Sequence, residues 1–559
     1  MAGGSPAIDT RRDSWRAAVR LAVCVAVLAL VPRALTAGRF ETTDETLWMQ
    51  RSQNFSDALL QLDPARASAT TDVLATMPGV TTMWIGSAAR ATRWMGARLG
   101  LVDGDVVFTA SSAGLHFAQL GVALASSTLI GVVVLLAWRW AGPVAAVTAG
   151  ALLASEPFVV AHGSVLHTDE LTGLFGAAGI LALLSALAIP APVTERPRAM
   201  TAVGGMLLGG SLLTKLSALS FLPGLAAVIG AALLHKARGG WRSGNSLADA
   251  LRAPGRLLLL AAASAAVTIL VAWPAIWADP LHQFGLLRES AALARTPHTT
   301  FFLGQPTTTP GRLYYAVATP LRMTPWFLLG SLLLIPLGLV RRRRHMVILL
   351  VLIASIAAVL TTAARQMDRY VLTALPLLAL ACGLGLDVAV GPARAWFDRR
   401  PRLAIAGALG ATALLVLHAS WIAPWGLAYF NPLLGGSATA EQAILVGWGE
   451  GLELAGERIR QREAPRCDLK VALKYWVLSS AFPCGSTTPE VDGADYLVLY
   501  VNHRQRLSEP ALTDLRRRGR LIDVVSIRGI DYAEIYDLRP ASANVADRAV
   551  TAGEKARRQ

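Results

Sequence analysis

The sequence predicts a polytopic α-helical membrane protein with about eleven transmembrane helices and a small C-terminal α/β extracytoplasmic domain. Composition points there first. Of 559 residues, 54% are hydrophobic and only 16% are charged, where a soluble chain carries about 25% charged residues. Mean hydropathy is +0.47. Second, the apolar residues come in blocks close to the ~20 residues that cross a bilayer, and not in amphipathic stripes. Third, the cations behind the net charge of +15 lie between those blocks, which makes them topology signals. Cations placed this way are not a nucleic-acid footprint.

Residues 1–16 read as a cytoplasmic N-terminus, with Arg11, Arg12 and Arg16. Apolar blocks follow at approximately 17–36, 114–138, 142–161, 170–189, 200–214, 217–235, 256–277, 324–340, 346–364, 370–390 and 403–423. The first has basic residues before it, as a signal peptide does. However, Pro32-Arg33 interrupts its end and no small-residue cleavage site follows, so it reads as a retained anchor. The fifth is short and holds Gly204, Gly205, Gly209 and Gly210, which suit close helix packing. Arg196 and Arg198, the Lys236–Arg256 group, Arg341 to Arg344 and the Arg394–Arg402 group all fall on one face if the spans alternate. By the positive-inside rule that face is cytoplasmic. The expected location is a bacterial plasma membrane, with the C-terminal domain outside.

Residues 17–436 are expected to form the membrane domain, with external loops at 37–113 and 278–323. In the first loop Phe55, Leu59 and Leu62 are spaced for a helix at the interface, and Trp84, Ile85 and Trp94 alternate with Arg90 and Arg93. The second is rich in Thr and Pro and shows no clear periodicity. Residues 437–540 read as an α/β domain, with strands at 469–474, 496–501 and 531–536 and helices at 441–462 and 509–518. The charged 541–559 tail reads as disordered. Cys24 and Cys382 lie in spans. Cys467 and Cys484 flank the first strand and are expected to form a disulfide outside the cytoplasm, the alternative being two buried thiols. No cysteine or histidine spacing matches a metal site.

Two acidic pairs carry the functional signal. Asp44-Glu45 follows the first span and Asp169-Glu170 opens the fourth, both on the outer face. Carboxylates are costly at a membrane unless they perform chemistry or pair with cations. Helix capping is the plain alternative for both pairs. Arg51 lies about two helical turns beyond Asp44. Cations are scarce on the outer face, so Lys215, Arg322, Arg365 and Arg369 stand out. A carboxylate that takes a hydroxyl proton and cations that hold a departing phosphate are what glycosyl transfer requires.

The order of these features resembles the polyprenyl-phosphate-dependent glycosyltransferases of the C superfamily (GT-C), in the branch of protein O-mannosyltransferases and lipid A aminoarabinose transferases. The matching residues are Asp44-Glu45-Thr46 with Arg51, Pro78-Gly79 with Trp84, Asp169, Thr214-Lys215, Asp368-Arg369-Tyr370, Tyr429-Phe430-Asn431-Pro432 and Val446-Gly-Trp-Gly-Glu-Gly451. The resemblance implies Asp44 as base, together with Glu45, in an inverting displacement from a lipid-linked sugar. It implies Arg51, Asp169, Glu170, Lys215, Arg365, Arg369 and Tyr370 as substrate-binding residues. The expected partners are the polyprenyl-phosphate sugar donor, membrane lipids and a protein, glycolipid or polysaccharide acceptor. No cofactor is implied. Met77 stands where relatives often have His or Lys before the Pro-Gly step, which removes that donor contact. The competing reading is a transporter or flippase of polyprenyl-linked sugars, which favours internal repeats and charges deep within spans.

Overall fold

Proline sets many of the helix starts. Pro143, Pro157, Pro197, Pro280, Pro325 and Pro401 each occupy the first turn of a helix, where the missing N–H is not required. The computed structural model describes residues 6–68, 78–102, 112–191, 193–242, 247–393, 399–466, 468–473 and 486–540. Met77, Cys467, Cys484 and the tail after residue 540 lie outside the described residues, and with them the expected disulfide.

The protein is a polytopic helical membrane protein with a small C-terminal sheet region. Among the described residues, seven helices are long and apolar enough to cross a membrane, or eight if one bent pair is a single span. That is fewer than the eleven expected. Each remaining apolar block is helical but fails for a local reason. Block 142–161 is split into Pro143–Ser155 and Pro157–His162, because Pro157 cannot donate into the preceding helix. Block 370–390 begins as a 3₁₀ turn at Asp368–Thr373 and leaves only the 15-residue helix Leu375–Ala389. Block 324–340 is the second arm of a pair, Tyr314–Arg322 and Pro325–Arg341, bent by 118°. The glycine-rich fifth block is the 18-residue helix Pro197–Thr214. It falls outside the seven, since glycine contributes little hydropathy.

The chain divides into two compact units. The first comprises Met1–Arg39, Leu47–His298 and Thr309–Gly436. At its centre lies the helix Asp169–Ala186, 94% buried along its apolar window, whereas Leu251–Ala272 is 6% buried and faces outward. A Cβ at Gly205 would stand 2.9 Å from the Ser264 Cβ, and one at Gly209 2.9 Å from the Ala265 carbonyl. Glycine therefore lets Pro197–Thr214 press against Leu247–Ala272.

The second unit comprises Phe40–Thr46, Thr299–Thr308 and Ser437–Gln559. A hairpin of β1 (Thr300–Phe302) and β2 (Gln305–Thr307) lies where the sequence suggested an unstructured loop. Phe302 bridges to Ile444 and the Leu303 N–H donates to the Ala443 carbonyl. The same loop also holds the helix Pro280–Arg295, whose first turn Asp279 caps by accepting from the His282 N–H. A five-stranded sheet follows, built of β3 (Lys470–Ala472), β4 (Ser486–Thr488), β5 (Tyr496–Tyr500), β6 (Arg520–Ile527) and β7 (Ile530–Asp537), in the order β4-β3-β5-β7-β6. β4 and β6 join the three strands that the sequence predicts. All of β5 is buried, as a central strand read from an apolar run should be. Leu512 of the helix Glu509–Arg517 packs with Ala472, Leu497, Leu499 and Tyr536.

Candidate functional site

In the first unit the acids Asp169 and Glu170 form the first turn of the central helix, where the helix dipole favours negative charge. Lys215 follows the helix Pro197–Thr214 in extended backbone and forms an isolated bridge with Pro78. The Gly79 N–H donates to the Thr214 carbonyl at 3.2 Å, and the Thr81 hydroxyl to that of Thr214 at 2.8 Å. Gly79 has φ +63°, and any Cβ there would collide with the Trp48 ring. The Pro-Gly step thus fastens the first-loop helix Val80–Arg98 to the residue before Lys215.

Three groups converge on the Asp169 carboxylate. The Lys215 ammonium donates to Oδ1. His167 Nδ1 lies 3.1 Å and Arg369 Nε 3.3 Å from Oδ2. The Lys215 ammonium also sits 4.5 Å from the centre of the Tyr370 ring, a cation–π distance. Asp169 and Lys215 are almost wholly buried, whereas Arg369 is 18% exposed and is the open member of the set. Two cations share one carboxylate, which leaves a buried surplus of positive charge suited to a phosphate.

Arg369 is set by its neighbour. The Asp368 carboxylate accepts from the Arg369 N–H at 2.8 Å and from Arg322 at 2.7 and 2.6 Å. Arg322 also donates to the Leu427 carbonyl at 2.6 Å and lies over the rings of Phe158 and Phe430. Asn431 donates to Pro320, at the other end of the same turn. The Tyr429-to-Pro432 motif therefore braces Arg322. On the opposite flank Trp48 stands edge-to-face against His167, and the Arg51 guanidinium lies 4.9 Å from the Trp48 ring.

The remaining predicted residues are placed differently. Glu170 accepts from Ser126 at 2.6 Å and pairs with Arg33 at 3.1 Å. Arg33 is fully buried and also donates to the Ser126 hydroxyl and to the carbonyls of Ala29 and Leu153. Arg365 donates to Thr296, and no described contact links it to the Asp169 group. In the second unit, Asp44 is half-buried on the turn that precedes the helix Glu45–Leu60. Glu45 is fully buried and accepts from the N–H and the hydroxyl of Thr42, at 2.8 and 3.0 Å. That is the reciprocal arm of a capping box, Thr42-x-x-Glu45.

No family model matches the chain, and no curated protein matches it in sequence. Solved structures do. ArnT from Cupriavidus metallidurans, in a crystal structure bound to undecaprenyl phosphate, aligns at TM-score 0.51 and 14% identity over 94% of this chain and 98% of that one. The apo structure of the same protein aligns at TM-score 0.51 and 15% identity, over 93% and 98%. The chain has the ArnT fold.

The likeness to ArnT runs through both units, since nearly all of each chain is covered. Within this fold, sequence reasoning missed Arg33 as the partner of Glu170, because 137 residues separate them. The available signal was a guanidinium inside an apolar block, which demands a counter-charge. His167 belongs to no metal-site spacing in the sequence; its contact is with Asp169, two residues on. Glu156 was passed over. It is buried and accepts from the N–H and hydroxyl of Thr324, capping the helix Pro325–Arg341 from another segment.

Proposed function

We propose that this protein is a membrane glycosyltransferase that moves a sugar from a polyprenyl-phosphate donor to a hydroxyl of an acceptor outside the cytoplasm. The observation that carries the reading is the Lys215–Asp169–Arg369 cluster, buried but for Arg369, in a chain whose fold is that of a protein crystallised with undecaprenyl phosphate. Lys215 and Arg369 hold the donor phosphate. Asp169 keeps both cations oriented, and Arg322 with Asp368 sets the approach of Arg369. Asp44 accepts the proton of the acceptor hydroxyl. The acceptor oxygen then bonds to the anomeric carbon as the bond from that carbon to the phosphate oxygen breaks. The electron pair leaves with the phosphate and the anomeric configuration inverts. Charge builds on the phosphate oxygen in the transition state, where fixed cations stabilise it most.

The sugar is a hexose or pentose, and the acceptor a protein, a glycolipid or a polysaccharide. The membrane is a bacterial plasma membrane, with the N-terminus in the cytoplasm and the C-terminal unit outside. Purified protein in lipid nanodiscs, given a panel of undecaprenyl-phosphate hexoses and pentoses, tests this. The wild type should release undecaprenyl phosphate from one donor, and Asp44→Asn should bind that donor without turnover. Lys215→Met and Arg369→Met should lose donor affinity. Equal, nonzero turnover by wild type and Asp44→Asn would sink the mechanism, and movement of the lipid across the bilayer without cleavage would mark a flippase.

A further inference from the structure

Within the second unit, the turn that carries Asp44 is fastened to a distant loop. The Thr43 N–H donates to the Trp448 carbonyl at 2.9 Å. Gly449, next in that loop, presses on the same turn. A Cβ there would collide with the Glu41 carbonyl oxygen and lie 3.1 Å from the Thr42 Cα. The capping box of Thr42 and Glu45 fixes the turn to its helix from the other side.

The loop is itself rigidly held. Gly447, Gly449 and Gly451 have φ of +93°, +130° and +88°, a region that other residues enter at a cost. The Tyr500 hydroxyl accepts from the Gly449 N–H at 2.9 Å and donates to the Glu450 carbonyl at 3.1 Å. The Trp448 N–H donates to the Glu450 carboxylate at 2.8 Å, and Asn502 donates to the Gly447 carbonyl at 2.7 Å. Gln505 accepts from the Val446 N–H at 2.8 Å. Tyr500 ends the central strand β5, and Asn502 and Gln505 follow it directly. The sheet therefore anchors the loop, and the loop anchors the turn.

We infer that the Val446–Gly451 loop is a positioning clamp for Asp44, and that Gly449 is its critical residue because only glycine allows the contact with Glu41 and Thr42. The inference rests on Asp44 being the base. A base held on a two-residue turn has little stiffness of its own, and a displacement of about 1 Å is enough to lower a rate by about 100-fold. The clamp gives the C-terminal unit a part in the reaction.

The test compares Gly449→Ala with Gly493→Ala in the full-length protein in nanodiscs. Gly493 lies in the same unit at φ +76° with nothing within 4 Å of an added Cβ, so it places alanine at a positive φ without the contact, at a milder strain than the +130° of Gly449. Hydrogen–deuterium exchange of the 40–46 peptide should rise in Gly449→Ala and stay at the wild-type level in Gly493→Ala. With a donor that the wild type consumes, kcat should fall about 10- to 100-fold in Gly449→Ala, while undecaprenyl phosphate binding and the donor KM stay within about twofold of wild type. Tyr500→Phe, which frees the Gly449 N–H and adds no atom, should shift both readouts the same way by less. Unchanged exchange at 40–46, or a kcat loss matched by Gly493→Ala, overturns the clamp. Asp44→Asn is measured alongside. If it is inactive while Gly449→Ala turns over normally, the clamp fails and the base assignment survives; if it turns over normally, the base assignment fails.

Discussion

The same dipeptide, Asp-Glu, stands at the start of a helix in two places, and in both the glutamate is buried and held. At Asp44-Glu45 the glutamate is buried in a capping box while the aspartate sits half-open on the turn. At Asp169-Glu170 the glutamate is locked to Arg33 and Ser126 while the aspartate gathers Lys215, His167 and Arg369. The surroundings differ. Glu45 is satisfied by backbone and hydroxyl donors from its own turn, and Glu170 by a buried cation from a distant helix. The glutamate is therefore the fastening in both places, but only one of the two fastenings is ionic.

Substitution can break this parallel at several strengths. The largest expected effect is on the aspartates. Asp44→Asn should lower turnover by about 10²–10⁴-fold, the range for loss of a general base, with undecaprenyl phosphate binding intact. Asp169→Asn should lose both turnover and binding, since the ionic hold that orients Lys215 and Arg369 is lost. Single-turnover sugar transfer and lipid-binding titrations on the two variants separate these outcomes.

Next come the glutamates. Glu170→Ala leaves Arg33 charged and buried, and should destabilise the protein by about 3–5 kcal/mol, seen as a large fall in thermal midpoint in detergent. Glu45→Ala should cost about 1 kcal/mol as a lost cap, and Glu45→Gln should recover most of it, because glutamine also serves a capping box. If Glu45→Ala proves as damaging as Glu170→Ala, the contrast between backbone and ionic fastening fails.

A smaller effect concerns pH in the second unit. Burial pushes the Glu453 carboxyl up to about 8, and the charge of Glu450 adds to this, while the Gly451 N–H pulls it partly back. Its folded pKa lies above the unfolded value near 4.5, so its stabilising contribution is complete below that value and is lost as pH rises through about 8. The melting midpoint should therefore drop modestly between pH 6 and pH 9, and Glu453→Gln should flatten the dependence. The smallest change is expected at Arg365. Its contacts are with Thr296, so Arg365→Ala should leave donor KM within about twofold and stability within about 0.5 kcal/mol.

Much of the fold was legible in the sequence, because hydropathy and charge placement act over windows that local composition defines. All eleven apolar blocks are helical. Their number as full spans was overestimated where the sequence itself carried the warning, at Glu156-Pro157 and in the glycines of Pro197–Thr214. The 278–323 stretch shows no clear periodicity, although Asp279-Pro280 is a capping signal and Leu286 and Leu287 pack on the core around Trp48. For the site, Asp169, Lys215, Arg369 and Tyr370 were named from their order along the chain, and the fold brings them together. Arg365, named with them, stands apart.

By itself the sequence determined what is local: which blocks are apolar, where prolines start helices, and which acids and cations sit at the ends of spans. Only the tertiary structure decided what each acid of a pair is fastened to. It also decided that Arg33 answers Glu170, and that the Asp44 turn belongs with a loop some four hundred residues later. Those choices are pairings between distant segments. The cost of burying an unpaired charge or an unmet N–H fixes them, and that cost is known only once the chain has folded.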